Sequence, residues 1–291
     1  MREKLTFREV IAVASMLFGM FFGAGNLIFP VHMGQLAGRN VLPAVLGFIV
    51  TGVGFPLLGV AALGISSSNG LYDLSSRRLG HRYGIFFTCA LYLTIGPFFA
   101  IPRCATVPFS VGFEALPGNP SEPLFLLIFT LLFFAAVLWF SLRPSGVLTW
   151  IGRILNPLFL VFLALLVIRA LLDPAGQIDS IDPTGNYMAQ PFFTGFLEGY
   201  NTMDAIAGLA FGIVVVNVIR GLGVEKPDAV ARSTVFSGLF SCLLMALIYG
   251  AICVVGAQSR GIFATAENGA AALSDIANHY FGTAGAVILT I

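Results

Sequence analysis

Long apolar runs alternate with short polar ones along this chain from its first residues to its last. Seven runs are long enough to cross a bilayer as helices: 9–36, 42–65, 84–112, 123–142, 147–171, 191–219 and 231–257. An eighth begins near 281. About 20 residues at 1.5 Å rise each cover a hydrocarbon core about 30 Å thick. Two of the runs are punctuated. The first carries Gly23-Ala24-Gly25-Asn26 with Pro30 close behind, and the sixth carries Glu198-Gly199-Tyr200-Asn201-Thr202-Met203-Asp204. In lipid an unpaired backbone group costs several kcal/mol, so irregular backbone at this depth survives only where it lines a cavity in the protein. Two such interruptions, in matching places of two halves, point to the midplane site of a secondary transporter.

Composition narrows the class. Hydrophobic residues make up 57% of the chain and charged residues 10%, with a mean hydropathy of +0.92. A soluble domain carries about 25% charge, so this chain is expected to be an all-α polytopic membrane protein. A net charge of +1 gives no basic field for nucleic acid. The sequence holds no Gly-x-x-x-x-Gly-Lys-Ser/Thr loop, so no ATPase motor or ATPase partner is expected. No metal-spaced His/Cys cluster or nucleophile elbow argues for an enzyme. Cys89, Cys104, Cys242 and Cys253 lie inside apolar stretches and read as small buried residues. Met1-Arg2-Glu3-Lys4 leads into a long apolar run without an Ala-x-Ala-like cleavage site, which reads as a retained first span. The closing run Gly285–Ile291 is too short to cross. The expectation is therefore the N-terminal portion of a longer protein, cut after seven to eight spans.

Basic residues set the expected orientation. Arg2, Lys4 and Arg8 precede the first span, Arg77, Arg78 and Arg82 follow the second, Arg143 and Arg153 flank the turn after the fourth, and Arg220, Lys226 and Arg232 follow the sixth. The alternate connections carry fewer, and that from Asp173 to Gln190 is acidic. The positive-inside rule puts the N-terminus in the cytoplasm and runs the first and sixth spans in opposite directions. An inverted repeat of five spans pairs them: residues 9–171 form the first repeat and 191–291 begin the second, within one transmembrane domain. The mixed-polarity stretch 258–280 reads either as short helices over the outer entrance or as a solvated loop.

The breaks carry the candidate chemistry. If the helix unwinds at Gly23, Ala24 and Gly25, the restarted half-helix points N–H groups and a positive dipole end at the gap, which suits a carboxylate. Carbonyls ending the first half-helix, near Gly19, Phe22 and Gly23, suit a cation such as sodium. Gly19 and Gly23 also have the spacing of a helix-packing face, but packing does not account for Asn26 followed by Pro30. In the sixth span Glu198 and Asp204 are acids at membrane depth, where ionisable groups are costly and usually functional. Asp204 is a candidate for holding a cation, titrating, or pairing with a substrate amine; structural hydrogen bonding is the plain alternative. The third span, with Pro97, Pro102 and Pro108, offers Phe98 and Phe99 as walls of an apolar pocket. Its Arg103 is a candidate for a closed gate with Glu198, or for snorkelling to the outer interface.

Three motifs in order resemble the branched-chain amino acid:cation symporter family, the bacterial BrnQ carriers: Phe18-Gly19-Met20-Phe21-Phe22-Gly23-Ala24-Gly25-Asn26-Leu27-Ile28-Phe29-Pro30, Gly96-Pro97-Phe98-Phe99-Ala100-Ile101-Pro102-Arg103, and Glu198-Gly199-Tyr200-Asn201-Thr202-Met203-Asp204-Ala205. The resemblance covers essentially the whole chain. It implies import of leucine, isoleucine and valine by sodium or proton symport through the bacterial cytoplasmic (inner) membrane. It also implies the LeuT-like inverted-repeat fold of the amino acid–polyamine–cation superfamily. By analogy Phe22, Gly23, Ala24, Gly25 and Asn26 bind the carboxylate end, Gly199, Tyr200, Asn201, Thr202 and Asp204 help bind the amine, and Arg103, Glu198 and Asp204 serve gating and coupling. No cofactor is implied beyond the coupling ion. The family's second cation site uses hydroxyls of an eighth span that only begins here.

Rival functions fit less well. A channel favours a continuous polar lining or rings of charge, whereas these breaks are local and their acids isolated. A membrane enzyme needs a convergent nucleophile, base or metal set. An amino acid exchanger of the same architecture is the nearest rival and differs by ignoring cation gradients. Gly23→Leu is expected to fill the first break and block leucine binding; normal leucine affinity in that variant would rule out the pocket described.

Overall fold

The computed structural model describes Arg2, residues 4–113, 123–142 and 156–290. The described residues are almost wholly helical, as a chain crossing lipid must be to satisfy its own backbone. Helix α1 spans Phe7–Phe21 and α2 spans Gly25–Ala37. Helices α3 (Val41–Ile49) and α4 (Phe55–Ser66) are joined by a wider π-turn at Val50–Gly54. Helix α5 (Leu71–Leu79) precedes α6 (His81–Leu93), which runs through a second π-turn, Thr94–Phe98, into α7 (Ala100–Phe113). Helices α8 (Pro123–Ser141) and α9 (Asn156–Leu172) follow. The chain ends with α10 (Pro191–Asn201), α11 (Asp204–Gly221), α12 (Pro227–Ser259) and α13 (Gly269–Thr290).

Among the described residues five helical stretches are long and apolar enough to cross a membrane: Gly25–Ser66, His81–Ser110, Pro123–Ser141, Asp204–Gly221 and Pro227–Ser259. The first and sixth expected spans are each divided, so that α1 has 15 residues and α10 has 11. The beginning of the expected span 147–171, with Arg143 and Arg153, lies outside the described residues. The ambiguous stretch 258–280 resolves into turns and then a helix from Gly269, interrupted at Gly282 (φ 62°, ψ −162°) near the expected start of the eighth span.

Two compact units can be distinguished. The first comprises Met1–Gly23, Leu46–Ile101 and Phe192–Tyr249; the second comprises Ala24–Val45, Pro102–Pro191 and Gly250–Ile291. In the first unit α1 opens on a capping box, in which the Thr6 hydroxyl accepts from the Glu9 amide and the Glu9 carboxylate accepts from the Thr6 amide at 2.7 Å. Arg2 pairs with Glu9 at 2.7 Å. Helices α4 and α11 pack through small residues. A Cβ on Gly208 would collide with the Pro56 carbonyl, and one on Gly59 would stand 2.9 Å from Leu209 N. Lipid tails are as apolar as leucine, so membrane helices associate through such close backbone approach rather than hydrophobic drive.

The second unit uses the same device. Added Cβ atoms would collide with the Cys253 carbonyl at Gly34, the Val31 carbonyl at Gly256 and the Ile28 carbonyl at Gly269. Polar bonds finish the contact. The buried Gln35 amide donates to Ser259 Oγ at 2.9 Å, and its oxygen accepts from Ala266 N at 3.1 Å. Arg39 pairs with Asp182 at 3.0 Å.

Overpacking costs about 1–3 kcal/mol or more, so Gly208→Leu is expected to lower the thermal unfolding midpoint of the detergent-solubilised protein. Gly221→Ala, where an added Cβ meets nothing within 4 Å, is the control and should leave the midpoint close to its original value.

Candidate functional site

At the first break α1 ends with Phe22 N donating to Phe18 O at 2.8 Å, and Phe22 turns extended (φ −73°, ψ 102°). Helix α2 restarts at Gly25, with the amides of Leu27 and Ile28 both 3.2 Å from Ala24 O. The helix opens on the buried Gly25 and Asn26, at the positive end of its dipole. Within the second unit Arg103 stands beside this helix start. Its Nη1 is 2.9 Å from where a Gly25 Cβ would lie, and its guanidinium sits 4.9 Å over the Phe29 ring.

The second break is built differently. Helix α10 ends at Asn201 and α11 begins at Asp204. Between them Met203 adopts the left-handed conformation (φ 67°, ψ 7°), which costs a residue with a side chain about 1–2 kcal/mol. The Thr202 hydroxyl compensates locally, donating to Gly199 O at 2.8 Å and accepting from Asp204 N at 3.4 Å. Such strain persists where surrounding structure over-determines it, and it clusters at ligand sites. The side chain of Asp204 is only 3% exposed. Its place in the first turn of α11 sets the carboxylate at the positive end of the helix dipole.

Tyr249, about two thirds of the way along α12 and fully buried, donates its hydroxyl to Asp204 Oδ2 at 3.1 Å. Its ring lies nearly parallel to Phe22, with centroids 6.1 Å apart, and edge-on to Phe48 at 5.3 Å. Within the first unit, therefore, the residue that ends α1 and the acid that begins α11 converge on one tyrosine.

A cavity of about 160 Å³ opens on the second break, lined by Thr94, Phe99, Tyr200, Asn201, Met203, Ala205 and Ile206. Its far wall comes from the π-turn of the third span, where Pro97 has no amide to donate and Gly96 leaves helical geometry (ψ −113°). Wide turns of this kind occur often at functional positions.

Of the residues singled out by sequence, Phe99, Tyr200 and Asn201 line this cavity, while Phe98 is 62% exposed and does not. Gly199 serves packing: a Cβ there would collide with Thr51 Oγ1 and the Phe48 carbonyl. Glu198 accepts from Asn201 Nδ2 at 3.3 Å. The carbonyl end of α1, around Gly19, Phe22 and Gly23, has Phe18 O engaged by Phe22 N. Among the described residues no group of three His, Cys, Asp or Glu could hold a metal ion. Tyr249 and Ile206 were not singled out by sequence. Met203 and Ala205 stood within the sixth-span motif without an assigned role, and Thr94 lies two residues before Gly96-Pro97.

Residues 6–291 match the family model described as branched-chain amino acid transport protein. The chain is 54% identical over 292 residues to the branched-chain amino acid permease BrnQ of Lactobacillus delbrueckii subsp. lactis, covering 100% of this chain and 65% of that protein. It is 42% identical to BrnQ of Bacillus subtilis, over 99% of the chain and 65% of the relative. It is 39% identical to BrnQ of Escherichia coli K12, over 99% and 64%. The chain thus spans slightly less than two thirds of the length of these relatives. With its membrane-spanning helices and this match along almost its full length, the chain belongs to the branched-chain amino acid transport protein family.

Proposed function

We propose that this protein carries leucine, isoleucine and valine across the bacterial cytoplasmic membrane by symport with sodium or protons, through alternating access. One observation supports this reading above the others: Phe22, Asp204 and Tyr249 gather at two helix interruptions, and an apolar cavity opens on the second. A zwitterion needs an anion-binding group, a cation-binding group and, for a branched tail, an apolar wall. The amides opening α2 suit the carboxylate. Asp204 and the carbonyls of the second break suit the amine or the coupling ion. Phe99, Met203, Ala205 and Ile206 suit the tail.

The family membership and the names of the relatives support the substrate class. An N-terminus in the cytoplasm, as the basic connections suggest, and an inverted repeat of 9–171 with 191–291 complete the proposal. Cation binding orders the first break, the amino acid completes the site, and access from the outside then closes. Apolar pockets separate neighbouring aliphatic side chains by only about 1–3 kcal/mol per methylene, so the three amino acids should compete.

The test is radiolabelled leucine uptake into proteoliposomes, with sodium and proton gradients imposed separately. Uptake that follows one gradient and is competed by isoleucine and valine supports symport and names the ion. Uptake that ignores both gradients and needs internal amino acid makes the protein an exchanger. Asp204→Asn should cut gradient-driven uptake at least about tenfold, given that bonds to a charged group are worth roughly 1.5–3 kcal/mol. Unchanged uptake and cation dependence would remove Asp204 from the mechanism. Ala205→Leu should raise the leucine KM about tenfold while sparing the maximal rate, because it takes volume from the tail pocket; an unchanged KM would place the tail elsewhere.

A further inference from the structure

Tyr249 has more contacts of consequence than a filler of an apolar core needs. It is fully buried about two thirds of the way along the 33-residue α12. Its hydroxyl reaches Asp204 Oδ2 at 3.1 Å, and one ring face meets Phe22, the residue at which α1 stops being helical. Phe22 is itself stacked on Phe18 at 4.8 Å, one turn back. A second aromatic, Phe48, holds the ring edge-on. Phe48 also supplies the carbonyl against which Gly199 packs, and Thr51 donates to Phe196 O at 2.7 Å, so the support of the ring and the support of α10 come from the same stretch at the end of α3. The tyrosine ring is therefore fixed on two sides, and its hydroxyl is presented to the carboxylate with little freedom.

We propose that Tyr249 is the positioning residue for Asp204: it aims the carboxylate at the second break and ties its occupancy by a cation to Phe22 at the end of α1. This rests on the reading of Asp204 as part of a cation-coupled carrier. A hydroxyl suits the task because it donates one directional hydrogen bond to the carboxylate. Cys242, on the same helix, lies within electrostatic range of Asp204 and donates its thiol to Val53 O at 3.5 Å. Helix α4 and the Val50–Gly54 turn bring no titratable side chain, and those of α1 are Arg8 and Glu9 in its first turn. When a cation takes up Asp204, the carboxylate shifts its hydrogen bonding, and the ring that bears the donor is already stacked on the residue where the first break begins.

The experiment follows the thermal unfolding midpoint of purified protein without amino acid. Sodium chloride is titrated against a choline chloride control, and the series is repeated at stepped pH. Wild type should gain stability with one of the two cations, and Asp204→Asn should lose that gain. Tyr249→Phe keeps the ring stack and should need about tenfold more cation for the same gain, the ratio expected for losing a bond to a charged group. Phe48→Leu removes one support of the ring; it should lower the midpoint and raise the cation half-point, whereas Gly221→Ala should change neither. In the Asp204→Asn background Tyr249→Phe should add no change in cation dependence. A wild-type cation response that Tyr249→Phe leaves unaltered overturns the proposal, as does an equal effect of Tyr249→Phe with and without Asp204. So does a wild type that no cation stabilises. A response with the expected Tyr249 dependence, in a protein that takes up no leucine, upholds the positioning role and overturns the substrate reading alone.

Discussion

A helix that stops inside an apolar medium leaves amides and carbonyls that must go somewhere. Most of what is distinctive here is a consequence of where they go. At the second break one residue does most of the tying. The Thr202 hydroxyl donates to Gly199 O and accepts from Asp204 N, so both sides of the gap are held by a single short side chain. Met203 N reaches Tyr200 O at 3.1 Å, and Ala207 N reaches Met203 O at 3.0 Å. The interruption is thereby reduced to two residues, at the cost of a left-handed methionine. The first break is longer and more open in backbone terms, with Phe22 extended and then Gly23 and Ala24 before α2 begins. The difference suits different tasks, since a tightly tied gap fixes a carboxylate while a looser one can change shape.

The support behind these gaps follows from the weakness of hydrophobic drive in lipid. Glycines that let backbones touch, such as Gly208 on Pro56 and Gly199 on the Phe48 carbonyl, replace the bulky interdigitation of a soluble core. Hydroxyls then satisfy what the close approach exposes: Thr51 donates across to Phe196 O. Thr51 lies in a π-turn, whose widening lets its side chain reach outward without abandoning the helix. The second π-turn at Thr94–Phe98 has the opposite effect. Pro97 and the non-helical Gly96 splay the third span and leave room for a cavity beside Met203.

How far this was legible in the sequence depends on the kind of signal. Spans could be read because about twenty apolar residues in a row are costly anywhere but in lipid. The interruptions could be read because glycine, asparagine and proline together are uncommon inside such runs. Boundaries moved where a pattern was mixed: Glu267, Asn268 and Asp275 concealed the helix that starts at Gly269. Site residues were visible when polar or flanking a glycine, as with Asn201 and Asp204. Tyr249 was invisible because an aromatic within an apolar run looks like any other, and its partner lies 45 positions away in sequence. Met203 gave no sign because a left-handed backbone normally advertises itself through glycine or asparagine. Packing roles were equally hidden. Gly199 stood among candidate ligands, and only the neighbouring α3 backbone shows why a side chain cannot be there.

The choice of tyrosine as the contact for a buried acid bears on what such a site can do. A hydroxyl donor contributes a hydrogen bond without adding a charge of its own to the site. A tyrosine hydroxyl and the α11 dipole stabilise the carboxylate through directional, partial-charge contacts. Desolvation works in the other direction and makes the acid expensive when its partners are lost. That balance requires the hydroxyl to be held in place, because a donor free to rotate away would return the full burial cost. The aromatic clamp of Phe22 and Phe48 supplies that restraint, and one of its two jaws is the residue at which the first helix gives way.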